Sequence, residues 1–237
     1  MAITLTNGVT ITSGLTISSE VLPPYVTSGL QVYLDASNPA SYPGSGTTWT
    51  SLVNSYTGTM GAGVTYSTND SGSMLFNGGV TATVNLLNAE FRALTNNFSV
   101  EFWYKSTNNR PGLVANGVGS NGFVFGYFST SGTAFKVTKY GRVDINAGAI
   151  PQNTNWHQAV LTYSSTTGTR VYVDGALSSP TSANTANLIP GNTTFNIGRS
   201  ENNNHNGSMG IIRWYSAVLS ADDVAQNFNA DRSRYGI

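Results

Sequence analysis

Catalysis and metal binding draw mainly on acids, histidines and cysteines, and this chain has few of them. The 11 acidic residues are Glu20, Asp35, Asp70, Glu90, Glu101, Asp144, Asp174, Glu201, Asp222, Asp223 and Asp231. Glycoside cleavage needs two carboxyls flanking one bond, about 5–10 Å apart. Here the acids are scattered, and the adjacent pair Asp222-Asp223 opens a helix-like segment, where such residues offset the helix dipole. His157 and His205 are the only histidines, and neither lies near a recognisable nucleophile motif. Cysteine is absent, which removes disulfides, thiolate nucleophiles and cysteine-based metal sites. The expectation is a protein that is not an enzyme.

Other residues could bind rather than react. Tyr127 and Phe128 stand beside a Ser/Gly-rich turn, where aromatic faces could stack on sugar rings. The loop Glu201–Gly207, ENNNHNG, offers amide donors and acceptors that match sugar hydroxyls. Tyr127, Phe128, Asn202, Asn204 and His205 are therefore the candidate glycan-binding residues. The same loop also reads as a solvated connection in a chain with little charge. Asp35, Asn38 and Asp70 could offer oxygen to calcium, which needs several hard ligands with charge among them. Their spacing does not fix any convergence, so no metal site is assigned and no cofactor is expected.

Candidate strands must position these groups. They are Leu30–Leu34, Ser73–Phe76, Phe98–Lys105, Gly112–Ala115, Phe123–Tyr127, Phe135–Lys139, Arg142–Ile145, His157–Tyr163, Arg170–Val173, Thr194–Ile197 and Met209–Tyr215. Many alternate apolar and polar residues, and Gly, Asn, Ser and Pro separate them, as in an antiparallel sandwich. Asp174-Gly175 predicts a type I′ hairpin turn. One helix is expected at Ser220–Ala230, with Ser220 as N-cap and Val224 and Phe228 on one face.

The first residues follow a different pattern. ITLTNG, VTITSG and LTISSE repeat one six-residue unit over 3–20. Ile3, Leu5, Val9, Ile11, Leu15 and Ile17 all fall at odd positions, so an extended arm would carry them on one side. A two-residue hairpin at Asn7-Gly8 would split them between both faces. A one-sided apolar strand needs a partner: either an edge of its own body, onto which it folds back as an extra strand, or, the favoured reading, a neighbouring subunit through strand addition. Pro23-Pro24 stiffens the boundary, which divides the chain into an arm at 1–24 and a body at 25–237.

Composition narrows the partners. Only 9% of the 237 residues are charged, against about 25% in ordinary domains. The net charge is zero and no Lys/Arg cluster exists, so nucleic acid is not an expected partner. No apolar run reaches the roughly 18 residues of a membrane span. MAITLTNG lacks the basic and apolar regions of a secretory signal. A Thr/Ser/Asn/Gly surface without such a signal is expected of a protein assembled in the cytoplasm and released by lysis.

Several segments resemble the laminin-G-like, concanavalin A-type lectin/glucanase superfamily. GLQVYLDASNPASYPGSGTTWTSL resembles its opening strand and loop, and FSVEFWYKS its central strand. NWHQAVLTYSSTTGTRVYVDGAL resembles its W-H…Y…Y-V-D-G hairpin. FNIGRSENNNHNGSMGIIRWYSAVLSADDV resembles its closing segment and short helix. The resemblance covers about residues 25–230 and implies an all-β, two-sheet antiparallel jelly-roll sandwich. It also implies core roles for Trp103, Trp156, Trp214 and Tyr163. The family's E-x-D-x-x-E glucanase pattern is missing, and its calcium-binding F-D-G-x-x-D turn corresponds to Phe76-Asn77-Gly78-Gly79-Val80, without either acid. The opening segment, the ending QNFNADRSRYGI and the arm are similar to virion proteins of tailed phages, marine and cyanobacterial ones in particular. The expectation is a virion structural protein, in a capsid decoration or a tail fibre, joined to other virion proteins and to copies of itself through its arm. The alternative is an adhesin for host surface glycans.

Overall fold

Where apolar and polar residues alternate, the chain forms paired strands. In the computed structural model the described residues are 24–80, 84–86, 96–116, 121–127, 133–191, 195–199 and 203–237. The arm residues Ile3, Leu5, Val9, Ile11, Leu15 and Ile17, together with Phe128 and Asn202, lie outside them. Among the described residues sixteen strands run in chain order: β1 (Leu30–Asp35), β2 (Thr48–Thr50), β3 (Thr57–Met60), β4 (Val64–Ser67), β5 (Ser73–Asn77), β6 (Val84–Leu86), β7 (Phe98–Ser106), β8 (Gly112–Ala115), β9 (Phe123–Tyr127), β10 (Ala134–Lys139), β11 (Val143–Ala149), β12 (Trp156–Ser164), β13 (Gly168–Val173), β14 (Ala176–Ser182), β15 (Phe195–Ile197) and β16 (Asn206–Tyr215).

They form two eight-stranded antiparallel sheets. The first has the order β14-β13-β12-β7-β16-β5-β4, and the second β11-β10-β9-β8-β15-β6-β3-β2. In the first sheet β5 pairs with residues 206–209 of β16, and β1 with residues 211–215, so the two share one side of a long strand. The register slips between Met209 and Ile212. Gly210 sits in that slip beneath the Tyr235 hydroxyl, where a Cβ would come within 2.1 Å of the oxygen. Only glycine allows that approach.

The inner faces of the sheets enclose an apolar core. Phe98, Phe102, Phe123, Phe125, Phe135 and Trp214 are all buried there, with Phe98 and Trp214 stacked at 5.1 Å. Tyr163 joins them, as does Trp49, which is fully buried. Trp103 and Trp156 are buried too, but in a different place. They lie on the outer face of the first sheet, in a second core with Val160, Tyr172, Ile211, Tyr215 and Val224.

The cover of this second core is helix α1 (Ala221–Asp231), followed by a 3-10 turn at Arg232–Tyr235. Ser220 caps the helix as its sequence predicts. Its side chain accepts from the Asp223 backbone, and the Asp223 carboxylate accepts from the Ser220 N–H. Trp103 lies parallel to Phe228 at 5.7 Å and to Tyr235 at 4.5 Å. At the predicted hairpin, Asp174 and Gly175 both have positive φ, at 50° and 79°, and Val173 pairs with Ala176.

Candidate functional site

The ends of several strands converge at one pole of the sandwich. β7 finishes there at Ser106, β9 finishes at Tyr127, and β8 and β16 begin there. The Tyr127 N–H donates to the Pro111 carbonyl at 2.7 Å. The Arg110 guanidinium lies 5.4 Å from the centre of the Tyr127 ring, in cation–π geometry. The Asn203 amide donates to the Tyr127 carbonyl at 3.3 Å. Asn204 forms an isolated bridge with Arg199, and the Thr107 N–H holds the Asn206 carbonyl at 2.9 Å. Thus Tyr127 and the Asn-rich segment, 76 residues apart in sequence, share one rim. An aromatic face, a guanidinium and two amides on a half-buried rim are suited to polar, hydroxylated ligands.

His205 does not belong to that surface. It is fully buried, edge-on to Phe76 at 5.5 Å and to Tyr104 at 6.4 Å. Its Nε2 lies 3.3 Å from the Ser208 carbonyl. Burial, only partly opposed by hydrogen bonds to backbone carbonyls, pushes its pKa down to about 4. The expectation of His205 as a glycan contact is corrected on this ground: the ring is out of reach of solvent. Extending the alternation of β16 backwards reveals the reason. His205 has the parity of Gly207 and Met209, and Met209 packs in the inner core.

The oxygen donors considered for calcium are each engaged within the protein. Asp35 Oδ1 accepts from Arg234 Nη1 at 2.8 Å and from the Ser37 N–H at 2.9 Å. Asp70 Oδ2 accepts from Lys105 Nζ at 3.0 Å. Asn38 Oδ1 accepts from the Ala40 N–H at 2.9 Å. Among the described residues, no three His, Asp or Glu side chains gather in a metal-binding group.

Glu101 alternates with Val100 and Phe102 and so points away from the inner core, but helix α1 covers it completely. Its Oε1 accepts from Arg213 Nη1 and Gln158 Nε2, both at 3.0 Å, and its Oε2 from Asn227 Nδ2 at 2.7 Å. Arg213 Nη1 also donates to Asp231 Oδ2 at 2.7 Å. Burial raises the Glu101 pKa, and the Arg213 charge opposes that shift. For Arg213 burial acts to lower the pKa, but Glu101 and Asp231 hold it well above its ordinary value. Sequence reasoning missed this network, because its members are 112 and 18 residues from Arg213.

Residues 77–225, from the end of β5 into the first turns of α1, match a laminin-G model described as concanavalin A-like lectin/glucanases superfamily. The chain belongs to the concanavalin A-like lectin/glucanase superfamily. No curated protein matches it in sequence. Among solved structures it is similar to Trypanosoma rangeli sialidase, with TM-score 0.64 and 17% identity over 88% of this chain and 34% of that one. The botulinum neurotoxin serotype G binding domain matches with TM-score 0.60 and 12% identity, over 83% of this chain and 50% of that one. The binding domain of Paraclostridial mosquitocidal protein 1 gives 0.63 and 16%, over 85% and 52%. This superfamily member thus spans about a third of the sialidase chain and half of the toxin domains, and at these identities the likeness is one of fold.

One expectation is overturned here. Scattered carboxylates and a missing E-x-D-x-x-E pattern led to the reading that the chain is not an enzyme. The likeness in fold to sialidase chains removes that conclusion, because this lectin-like fold also occurs within enzymes.

Proposed function

We propose that this chain is a structural component of a tailed-phage virion, presenting a lectin-like jelly roll on an N-terminal assembly arm. One geometric feature carries the reading: the residue next to the arm is locked onto the body. The Tyr25 ring packs edge-on to Tyr33 at 4.9 Å, and the Arg213 guanidinium stacks 4.6 Å from both ring centres. The Val26 N–H donates to Asn227 Oδ1 at 2.8 Å. Arg213 and Asn227 are the same side chains that bind Glu101 beneath the helix. Force on the arm therefore reaches a buried network, as an attachment point requires. The low-charge surface and the one-sided apolar repeat support the same reading.

Deletion of residues 1–22 tests it. The truncated body keeps Tyr25 and both cores, so its thermal midpoint should stay within a few degrees of the full chain. Its incorporation into particles, measured by mass spectrometry of purified virions, should be lost. Wild-type occupancy of the truncated chain would refute the assembly role.

The juxtaposition of Tyr127, Arg110, Asn203 and Asn204 favours a second reading, in which the displayed rim holds host surface glycans. A glycan array run with the wild type and with Tyr127→Ala and Asn204→Ala variants decides between the two. Binding lost in those variants makes the chain an adhesin. Absence of binding leaves the assembly reading.

A further inference from the structure

The chain holds five Asn-Gly pairs: Asn7-Gly8, Asn77-Gly78, Asn116-Gly117, Asn121-Gly122 and Asn206-Gly207. In such a pair the glycine nitrogen can attack the asparagine side-chain carbonyl, because glycine leaves that nitrogen unhindered. Asn7-Gly8 and Asn116-Gly117 reach outside the described residues. The other three lie in different surroundings, and the surroundings decide which of them can react.

Asn206-Gly207 is locked in a ladder. Gly207 is buried and pairs with Phe76 of β5 on one side and Ser106 of β7 on the other. The Asn206 carbonyl accepts from the Thr107 N–H at 2.9 Å and from Thr107 Oγ1 at 3.1 Å. Asn121-Gly122 is tied down as well. The Asn121 amide donates to the Pro190 carbonyl at 3.3 Å, and the Gly122 N–H donates to the Ile189 carbonyl at 2.8 Å. A peptide nitrogen engaged in this way must first open locally before it can attack.

Asn77-Gly78 differs at each point. The ladder of β5 ends at Asn77, which is exposed. Among the described residues the Gly78 N–H has no partner. Asn77 Oδ1 accepts from the Gly79 N–H at 2.9 Å, in an Asx turn that carries the side-chain carbonyl over the Gly78 peptide. That donor sits on the oxygen that gains negative charge when the carbonyl is attacked, so it stabilises the addition step as an oxyanion hole does. The fold also demands glycine at 78. Its φ is 77°, and a Cβ there would meet the Asn206 Cβ at 3.2 Å. Packing against β16 thus keeps the least hindered nitrogen beside a polarised carbonyl.

We propose that Asn77 is a site of self-modification, which cyclises onto the Gly78 nitrogen and opens to isoaspartate and aspartate. The Gly78 nitrogen gives its proton to solvent and forms a bond to Asn77 Cγ. The Cγ–Nδ2 bond then breaks, and Nδ2 takes a proton from water and leaves as ammonia. Water adds to one carbonyl of the resulting succinimide. Opening at the main-chain carbonyl gives isoaspartate, and opening at the side-chain carbonyl gives aspartate. Either product places a carboxylate at the pole where β16 begins, in a chain whose net charge is zero.

The test incubates the purified full chain at mildly alkaline pH, once folded and once in urea. Peptide mapping by mass spectrometry follows the three sites, with an isoaspartate-specific carboxyl methyltransferase as a second probe. In the folded chain Asn77 should convert about tenfold faster than Asn121 and Asn206, or more, a factor that corresponds to a barrier lower by about 1.4 kcal/mol. In urea the three sites share one dipeptide and no structure, so their rates should converge, and Asn77 should react no faster than when folded. Asn77→Gln should remove isoaspartate from its peptide, because a longer side chain closes a larger and slower ring. If that variant does not fold, the comparison within the wild-type chain still decides. An Asn77 no faster than Asn121 or Asn206 in the folded chain, or slower when folded than in urea, would overturn the assignment.

Discussion

The two faces of the first sheet are buried by different chemistry. Its inner face meets the second sheet through Phe98, Phe102 and Trp214 against Phe123, Phe125 and Phe135, with no charge among them. Its outer face meets α1 through Trp103, Trp156 and Tyr215, but in their midst lies the Glu101–Arg213–Asp231 network. Apolar packing is non-directional and tolerates changes that conserve volume. A buried ion network tolerates only complete replacement, because a partner left alone is an unpaired charge in a poor solvent for it. The inner face therefore holds the fold together. The outer face fixes how the helix, the arm root and the terminal turn sit upon it.

The sharpest test of this contrast compares single and combined removal. Trp214→Ala in the inner core should cost about 3–5 kcal/mol through lost contacts and a cavity. Arg213→Ala should cost about as much by stranding Glu101. Arg213→Met combined with Glu101→Leu and Asp231→Asn should recover a large part of that loss, whereas no second apolar truncation should rescue Trp214→Ala. Urea unfolding of the four variants measures this directly. Recovery at Trp214, or none at Arg213, would erase the distinction.

A smaller effect should appear with pH at the junction of the inner core and the pole. The His205 pKa falls from 6.5 to about 4 on folding, so the folded chain favours the neutral ring. The resulting stability is fully present above pH 6.5 and is lost as pH falls through about 4. Over that window it amounts to about 3 kcal/mol at most. His205→Phe keeps an aromatic ring between Phe76 and Tyr104 and should flatten this part of the pH profile in urea midpoints. An unchanged acid limb in the variant would assign the loss to other groups.

The smallest effect belongs to the helix end. Ser220→Ala removes the capping box and should lower stability by about 1 kcal/mol. The loss should fall on the outer layer first, so amides of α1 should exchange faster while those of β9 and β10 stay protected. Uniform acceleration would mean that the layers unfold as one.

The contrast also explains what the sequence made legible. Period-two runs such as FSVEFWYKS exposed β7, the Asp174-Gly175 pair exposed its hairpin, and Ser220 with Asp223 exposed the helix start. Strands β2, β3, β4, β6 and β14 were not found, because three or four residues carry too little alternation, and ALSSPTS is exposed along an edge. Trp103 and Trp156 were rightly expected to be core residues, but no local pattern separates an inner core from one made by a terminal helix. At the pole, Tyr127 and the Asn segment were each conspicuous alone. Their meeting depends on β9 and β16 ending together, a matter of topology. His157 was visible as a residue after a tryptophan, yet its pairing with Asp174 depends on the register of β12 against β13.

The most direct test of the assembly role is a structure of the intact particle. The account predicts that Ile3, Leu5, Val9, Ile11, Leu15 and Ile17 face neighbouring subunits, while the jelly roll stands at the particle surface with Tyr25 fixed between Arg213 and Tyr33. An arm folded back along an edge strand of its own body, with no contact to another chain, would contradict it.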